Sequence, residues 1–117
     1  MLQAGSALKV TIHLNQDTGS THGFLYEDIL LFLKEQRIEG ATALRAYAGF
    51  GMHQRVHRAD TGDVEGEHLP MIVYFVDKAE KVKRILPTLL ALVTDGLVEA
   101  HPTEVLKNVT TPEKVLA

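Results

Sequence analysis

The chain has 117 residues and a formal net charge of −3, with 45% hydrophobic and 23% charged residues. These values are typical of one soluble globular domain with a buried core, and they argue against general nucleic-acid binding, which needs a basic face. No cysteine is present, so disulfides, thiolate catalysis and cysteine-ligated metal centres are excluded. The N-terminus does not resemble a signal peptide and the apolar runs are too short to cross a bilayer, so we expect a cytoplasmic protein without membrane insertion.

The first half of the chain predicts a strand, a helix and a second strand. Residues 8–14, LKVTIHL, alternate between apolar and polar side chains, which is typical of a strand covered on one face. After a loop rich in turn formers, apolar residues at helical spacing predict a helix over roughly 23–37. Thr21 is its predicted N-cap and Gly40 its terminator. Residues 41–48, ATALRAYA, predict the second strand.

The second half predicts a strand, a helix and a strand. Residues 69–77, LPMIVYFVD, are apolar on both faces, so this strand must be covered on both sides. Asp77, with Glu80 three residues later, matches a capping box and predicts the start of the second helix. Pro87 falls inside that helix and is expected to kink or split it. An Asp-Gly pair then turns the chain into a short last strand over 96–101.

The element order β-α-β-β-α-β predicts an α+β ferredoxin-like fold, a four-stranded antiparallel sheet with both helices on one face. We expect a single domain over 1–117, with its core over about 8–101 and a tail over 102–117. Because the helices cover only one face of the sheet, the two-sided strand predicts that a second copy of the protein covers the other. The chain is therefore expected to form a homo-oligomer.

The segment 49–68 is a long loop and the main candidate for function. Its two glycines permit positive φ and let backbone N–H groups face a phosphate, and its arginines could form forked bonds to phosphate oxygens. The alternative is that the glycines only let the chain leave the sheet and that mixed charge keeps the arm soluble. The residues that predict an anion site here are Gly49, Phe50, Gly51, Arg55 and Arg58.

Two further hypotheses come from the same loop. His53 and His57 are four residues apart and would share one face of a helix at metal-ligand spacing, which favours a metal-binding or metal-tolerance protein; the alternative is two solvated histidines. A third hypothesis is an oligomeric adaptor that binds no small ligand. No nucleophile stands with a matched base and orienting group, so we expect no enzyme activity.

Several sequence motifs together resemble a known family. They are GAT entering the second strand, GFG leaving it, LP opening the third strand, and VDKAEKV followed by LP in the second helix. Over roughly residues 8–101 the chain resembles the PII-like domain-of-unknown-function 190 family of the PII signal-protein superfamily. The resemblance implies a ferredoxin-like fold and a trimer with its sheets packed around a threefold axis.

The resemblance also implies a signalling function. It implies an adenine nucleotide bound between subunits, at the base of the loop over 49–68 and at the turn Thr94–Gly96, with Lys83 and Arg84 on the helix before that turn. Binding would order or release the loop, which would act on a partner; a membrane transporter of the fluoride-channel type is one candidate. The chain departs from PII proteins after the last strand, where the residues from Pro102 supply no phosphate-binding cation.

Overall fold

The computed structural model describes residues 1–21, 23–51, 56–58 and 69–112. Four long strands and two helices follow the predicted order, and two-residue strands lie in the connections. The elements are β1 (Gly5–Asn15), β2 (Gly19–Ser20), β3 (Gly23–Phe24), α1 (Leu25–Glu35), β4 (Ala41–Arg45), β5 (Ala48–Gly49), β6 (His57–Arg58), β7 (Pro70–Asp77), α2 (Ala79–Leu92) and β8 (Leu97–Val105).

The four long strands form one antiparallel sheet in the order β4-β7-β1-β8. The two-sided apolar strand β7 is central, beside β1, and the edge strands are β4 and β8. This topology confirms the predicted α+β ferredoxin-like fold.

The hydrophobic core lies between one face of the sheet and the two helices. Alternate residues of the central strands face it, because strand side chains point to opposite faces in turn, and each helix contributes residues three or four apart. The buried cluster consists of Val10, Ile12, Leu14, Leu25, Ile29, Leu33, Ile38, Met71, Val73, Phe75, Val82, Ile85 and Leu89. Both helices therefore pack on the same face, as predicted.

Helix α1 is shorter than the predicted helix, and both predicted end signals were wrong. Its N-cap is Phe24 rather than Thr21. The N–H of the first helical residue donates to the Thr18 carbonyl at 2.8 Å, so a tertiary contact replaces a capping side chain. After the helix, Arg37 takes a φ of 63°, the left-handed conformation that commonly ends helices. The chain thus turns before it reaches Gly40.

The predicted capping box of α2 was also wrong. The N-cap is Lys78, without a side-chain cap, and Asp77 is the buried last residue of β7. One Asp77 oxygen, Oδ1, accepts the Lys78 N–H at 2.8 Å, and the other, Oδ2, lies 3.4 Å from Lys81 Nζ. That ammonium also donates to the Arg37 carbonyl, so it joins the end of α1 to the start of α2.

Other predicted extents also differ from the structure: β1 is longer than the predicted 8–14, and β4 ends at Arg45 rather than at residue 48. Helix α2 runs from Ala79 to Leu92 with Pro87 inside it, so the proline does not split the helix. Strand β8 is longer than the predicted 96–101, because β1 begins at Gly5 and pairs with β8 as far as Val105.

The two ends of the described chain meet at Glu39. Its carboxylate accepts the Leu2 N–H, lies 3.0 Å from Asn108 Nδ2 and lies 3.5 Å from the N-terminal amino group. The Leu2 hydrogen bond, with smaller contributions from Asn108 and the terminal charge, lowers the pKa of Glu39 below its usual value. This contact fixes the segment that follows β8 across the end of the sheet.

Of the helices that the structure describes, neither is long and apolar enough to cross a membrane.

Candidate functional site

One end of the sheet gathers most of the predicted site residues. The strand register pairs Asn15 with Pro70, Arg45 with Met71 and His13 with Leu97. The end of β1, the end of β4, the start of β7 and the start of β8 therefore lie together. We call this side of the molecule the loop end.

At the β4 edge, a short ladder forms the base of the loop over 49–68. Ala48 pairs with Arg58 and Gly49 pairs with His57, so the backbone of Arg58 lies next to the segment that contains the two glycines. A Cβ at Gly49 would lie 3.1 Å from Pro70 Cγ. Gly49 therefore allows a close approach to β7, and its φ is not positive.

Exposed aromatic side chains flank the glycines. Phe50 is 62% exposed, and Tyr47, which is not among the predicted site residues, is 66% exposed. Exposed aromatic rings are suited to stacking on a flat ligand or to contacting a protein partner. The signal for Tyr47 was its position just before the motif AGFG.

At the β8 edge, Gly96 makes the turn from α2 into the sheet. Its φ is 150°, and a Cβ there would lie 2.4 Å from the His13 carbonyl oxygen. Both its backbone conformation and its contact with β1 therefore require glycine.

The two halves of the predicted site lie at opposite edges of the same end. Strands β7 and β1 separate β4 from β8, so the end of β4 and the start of β8 are three strand spacings apart, about 14 Å.

The predicted helix cations lie away from the loop end. Helix α2 starts after Asp77, which pairs with Leu8 at the far end of the sheet. Arg84 is eight residues before the last residue of the helix, so about 12 Å of helix separates it from the turn at Gly96. Lys83 and Arg84 are exposed, and the structure does not bring them together with that turn.

Part of the predicted site is outside the described residues. Arg55 and His53 are among these, as is the side chain of His57. The described part of the chain contains no group of three or more His, Asp or Glu residues placed to hold a metal ion. The histidine pair stays a prediction.

Further polar and aromatic residues complete the loop end. Arg45 Nη1 donates to Gln16 Oε1 at 3.4 Å, and the Gln16 N–H donates to the Leu69 carbonyl at 2.9 Å. These contacts join residues far apart in the chain, and no local pattern signals them. Beside them Phe24 stacks on Tyr26, with ring centroids 6.2 Å apart. Loss of hydration raises the pKa of Tyr26, and the nearby Glu27 carboxylate raises it further.

Solved structures that share this fold are PII-like proteins. CPII from Thiomonas intermedia K12, bound to ADP, AMP and bicarbonate, aligns with a TM-score of 0.60 and 17% identity, covering 92% of this chain and 100% of CPII. A PII-like protein from Thermus thermophilus aligns with a TM-score of 0.57 and 18% identity, covering 89% of this chain and 91% of that protein. At this identity the similarity establishes the fold.

The sequence establishes the family. The profile of the DUF190 family, described as "Uncharacterized ACR", matches residues 7–105. A UPF0166 protein from Aquifex aeolicus (strain VF5) is 32% identical over 81 residues, covering 69% of this chain and 75% of that protein. The chain therefore belongs to the DUF190 family, with a PII-like fold, and the predicted resemblance is confirmed.

Proposed function

We propose that the protein is a cytoplasmic PII-like regulator that binds an adenine nucleotide between two copies of the chain. The main support is the placement of the base of the loop over 49–68 and the Gly96 turn at opposite edges of one sheet end. A cyclic assembly, such as the trimer that the family resemblance implies, brings the β4 edge of one copy to the β8 edge of the next. Each cleft then contains both halves.

Chemical roles follow from the residues on each side of the cleft. Arg58 is exposed at the base of the loop and, with Arg55, supplies forked charged donors for phosphate oxygens. Phe50 supplies an exposed ring near the same base. From the neighbouring copy, the Gly96 turn presents backbone close to the ligand. CPII, with the same fold, binds ADP and AMP, which supports an adenine nucleotide as the ligand class.

The regulatory step uses the loop itself. A nucleotide held at its base selects one arrangement of the residues over 49–68, and that arrangement binds or releases a partner protein. A membrane transporter is the partner class that the family resemblance suggests. No group in this scheme acts as a nucleophile, so the proposed activity is binding.

Isothermal titration calorimetry with ATP, ADP and AMP tests the proposal. We expect one of the three to bind, and Arg58→Ala to weaken it by about 10- to 100-fold, because a hydrogen bond to a charged group contributes about 1.5–3 kcal/mol. Arg55→Ala is expected to act in the same direction.

The matched control is Arg84→Ala, which removes an exposed arginine that the structure places away from the loop end. It should leave the affinity unchanged. Absence of binding by all three nucleotides would contradict the proposal, as would equal losses in Arg58→Ala and Arg84→Ala. A heat signal with divalent transition metals alone, lost in His53→Ala with His57→Ala, would favour the metal hypothesis instead.

A further inference from the structure

The face of the sheet opposite the helices, here called the open face, has an apolar band across three strands. Ile72, Tyr74 and Val76 of β7 are only partly exposed on this face, although no helix covers them. The register places Leu44 of β4 beside Ile72 and Leu97 of β8 beyond His13, and both leucines are exposed. An apolar band of this kind is typical of a surface that binds another protein.

Charged and titratable groups surround the band on its β1 and β8 side. On this face the strands β4 and β7 carry no titratable group except the Tyr74 phenol. Lys9 Nζ lies over the Tyr74 ring, 4.8 Å from its centroid. His13 Nε2 lies 3.7 Å from Glu99 Oε2. His101 is directly opposite Lys9 in the register. These five side chains are all the titratable groups that the four described strands direct to this face.

The charge of the open face depends on its two histidines. With both imidazoles neutral, the positive charge of Lys9 and the negative charge of Glu99 cancel, so two copies of the face do not repel each other. With both protonated, the face carries two net positive charges per chain. Protonated His101 also faces the Lys9 ammonium, and a like-charged pair directly opposite in a sheet is destabilising.

We propose that copies of this chain associate through the open face, and that protonation of His13 and His101 makes the assembly dissociate as the pH falls. The first half rests on the oligomer of the proposed function; the pH response is additional to it. We expect a second copy of the chain to cover the open face. With neutral histidines the face has no net charge, so two copies do not repel each other.

The direction of the pH effect follows from comparing proton binding by the two histidines in the separate chain and in the assembly. In the separate chain both side chains reach water, since His13 and His101 are exposed. Histidine is the side chain whose charge ordinarily changes between about pH 5 and 8. In the assembly either proton leaves a net positive charge in a dehydrated contact, because the single carboxylate of Glu99, beside His13, already balances Lys9. The separate chain therefore binds more protons, and lowering the pH favours it.

Sedimentation velocity at pH 7.5 and pH 5.5, at one ionic strength, tests this inference. We expect the dissociation constant to rise by at least about tenfold at pH 5.5, since each proton that the assembly excludes can change the association constant by up to about tenfold per pH unit. The double variant His13→Gln with His101→Gln should stay assembled at both pH values. His13→Lys with His101→Lys, which is charged at both, should be dissociated already at pH 7.5.

Circular dichroism on the same samples shows whether each variant is folded. A wild-type oligomer that persists at pH 5.5, or a glutamine double variant that dissociates like the wild type, overturns the pH proposal. Calorimetry with ADP at pH 7.5 distinguishes a failure of the pH proposal from a failure of the proposed intersubunit cleft. Binding retained with no pH response overturns this inference alone, whereas a wild-type monomer at pH 7.5 overturns the intersubunit cleft as well.

Discussion

Gly96 has both of the constraints that make a glycine irreplaceable. Its φ is positive, and the space where a Cβ would stand is occupied by the His13 carbonyl oxygen. Gly40 has neither constraint, because a Cβ there would meet nothing within 4 Å and its φ is not positive. Gly96 is therefore the test position for an alanine substitution, and Gly40 is its control.

We expect Gly96→Ala to lower the free energy of unfolding by about 2 kcal/mol or more, from backbone strain and the displaced β1–β8 contact. Gly40→Ala should change it by no more than about 0.5 kcal/mol. Urea denaturation of both variants checks this. Equal effects would show that the turn at Gly96 is not held against β1 as described.

Residue identity alone selected several residues that share one end of the sheet, and their role in binding stays a prediction. Gly49, Phe50, Gly51, Arg58 and Gly96 all lie at the loop end, because strand order dictates which connections share an end. The reason for Gly49 was different from the expected one, since Pro70 approaches it closely and it has no positive φ. The Arg45–Gln16 contact could not be predicted, because it joins residues 29 apart in the chain.

At the scale of elements, periodicity and turn residues predicted every long strand and both helices, whereas the ends of these elements depended on individual backbone contacts. The spacing of apolar residues, two in a strand and 3.6 in a helix, indicates which side of the element is buried, and it repeats along the whole element. A helix end instead depends on a few backbone groups. Here the Thr18 carbonyl accepts the first N–H of α1, and Arg37 ends that helix in the left-handed conformation, so the local signals at Thr21 and Gly40 were misleading.

Pro87 in α2 provides a prediction at this scale. A proline has no N–H to donate to the carbonyl four residues earlier, yet the helix continues through it with its ring exposed. We expect Pro87→Ala to raise the free energy of unfolding by about 1–3 kcal/mol, because it restores that hydrogen bond and a high helix propensity.

Chemical denaturation with Thr88→Ala as control measures this effect. Thr88 is the exposed neighbour, so its replacement should add only a few tenths of a kcal/mol, about the difference in helix propensity. A Pro87→Ala variant no more stable than Thr88→Ala would mean that the proline ring makes stabilising contacts, as it would against another copy of the chain.

At the scale of the whole molecule, the proposed nucleotide site is divided between the two edges of the sheet. In the proposed assembly, copies associate through the open face. This association brings the edge strands of neighbouring copies together at the loop end and so creates the clefts. Binding and assembly are consequently linked, and a nucleotide that bridges two copies stabilises the oligomer.

The most direct test of this scheme is nucleotide binding by a folded chain that cannot associate. Leu44→Glu places a charge in the apolar band of the open face, where the leucine is 48% exposed. Leu90→Glu places the same charge on α2, where the leucine is 49% exposed, and serves as its control. Both variants leave every residue of the proposed cleft unchanged.

Sedimentation velocity followed by calorimetry with ADP, ATP and AMP gives the answer. We predict that Leu44→Glu is a folded monomer that has lost nucleotide binding, while Leu90→Glu remains assembled and binds like the wild type. A monomeric Leu44→Glu that binds nucleotide with wild-type affinity would show that the site is contained within one chain, and would contradict the intersubunit cleft.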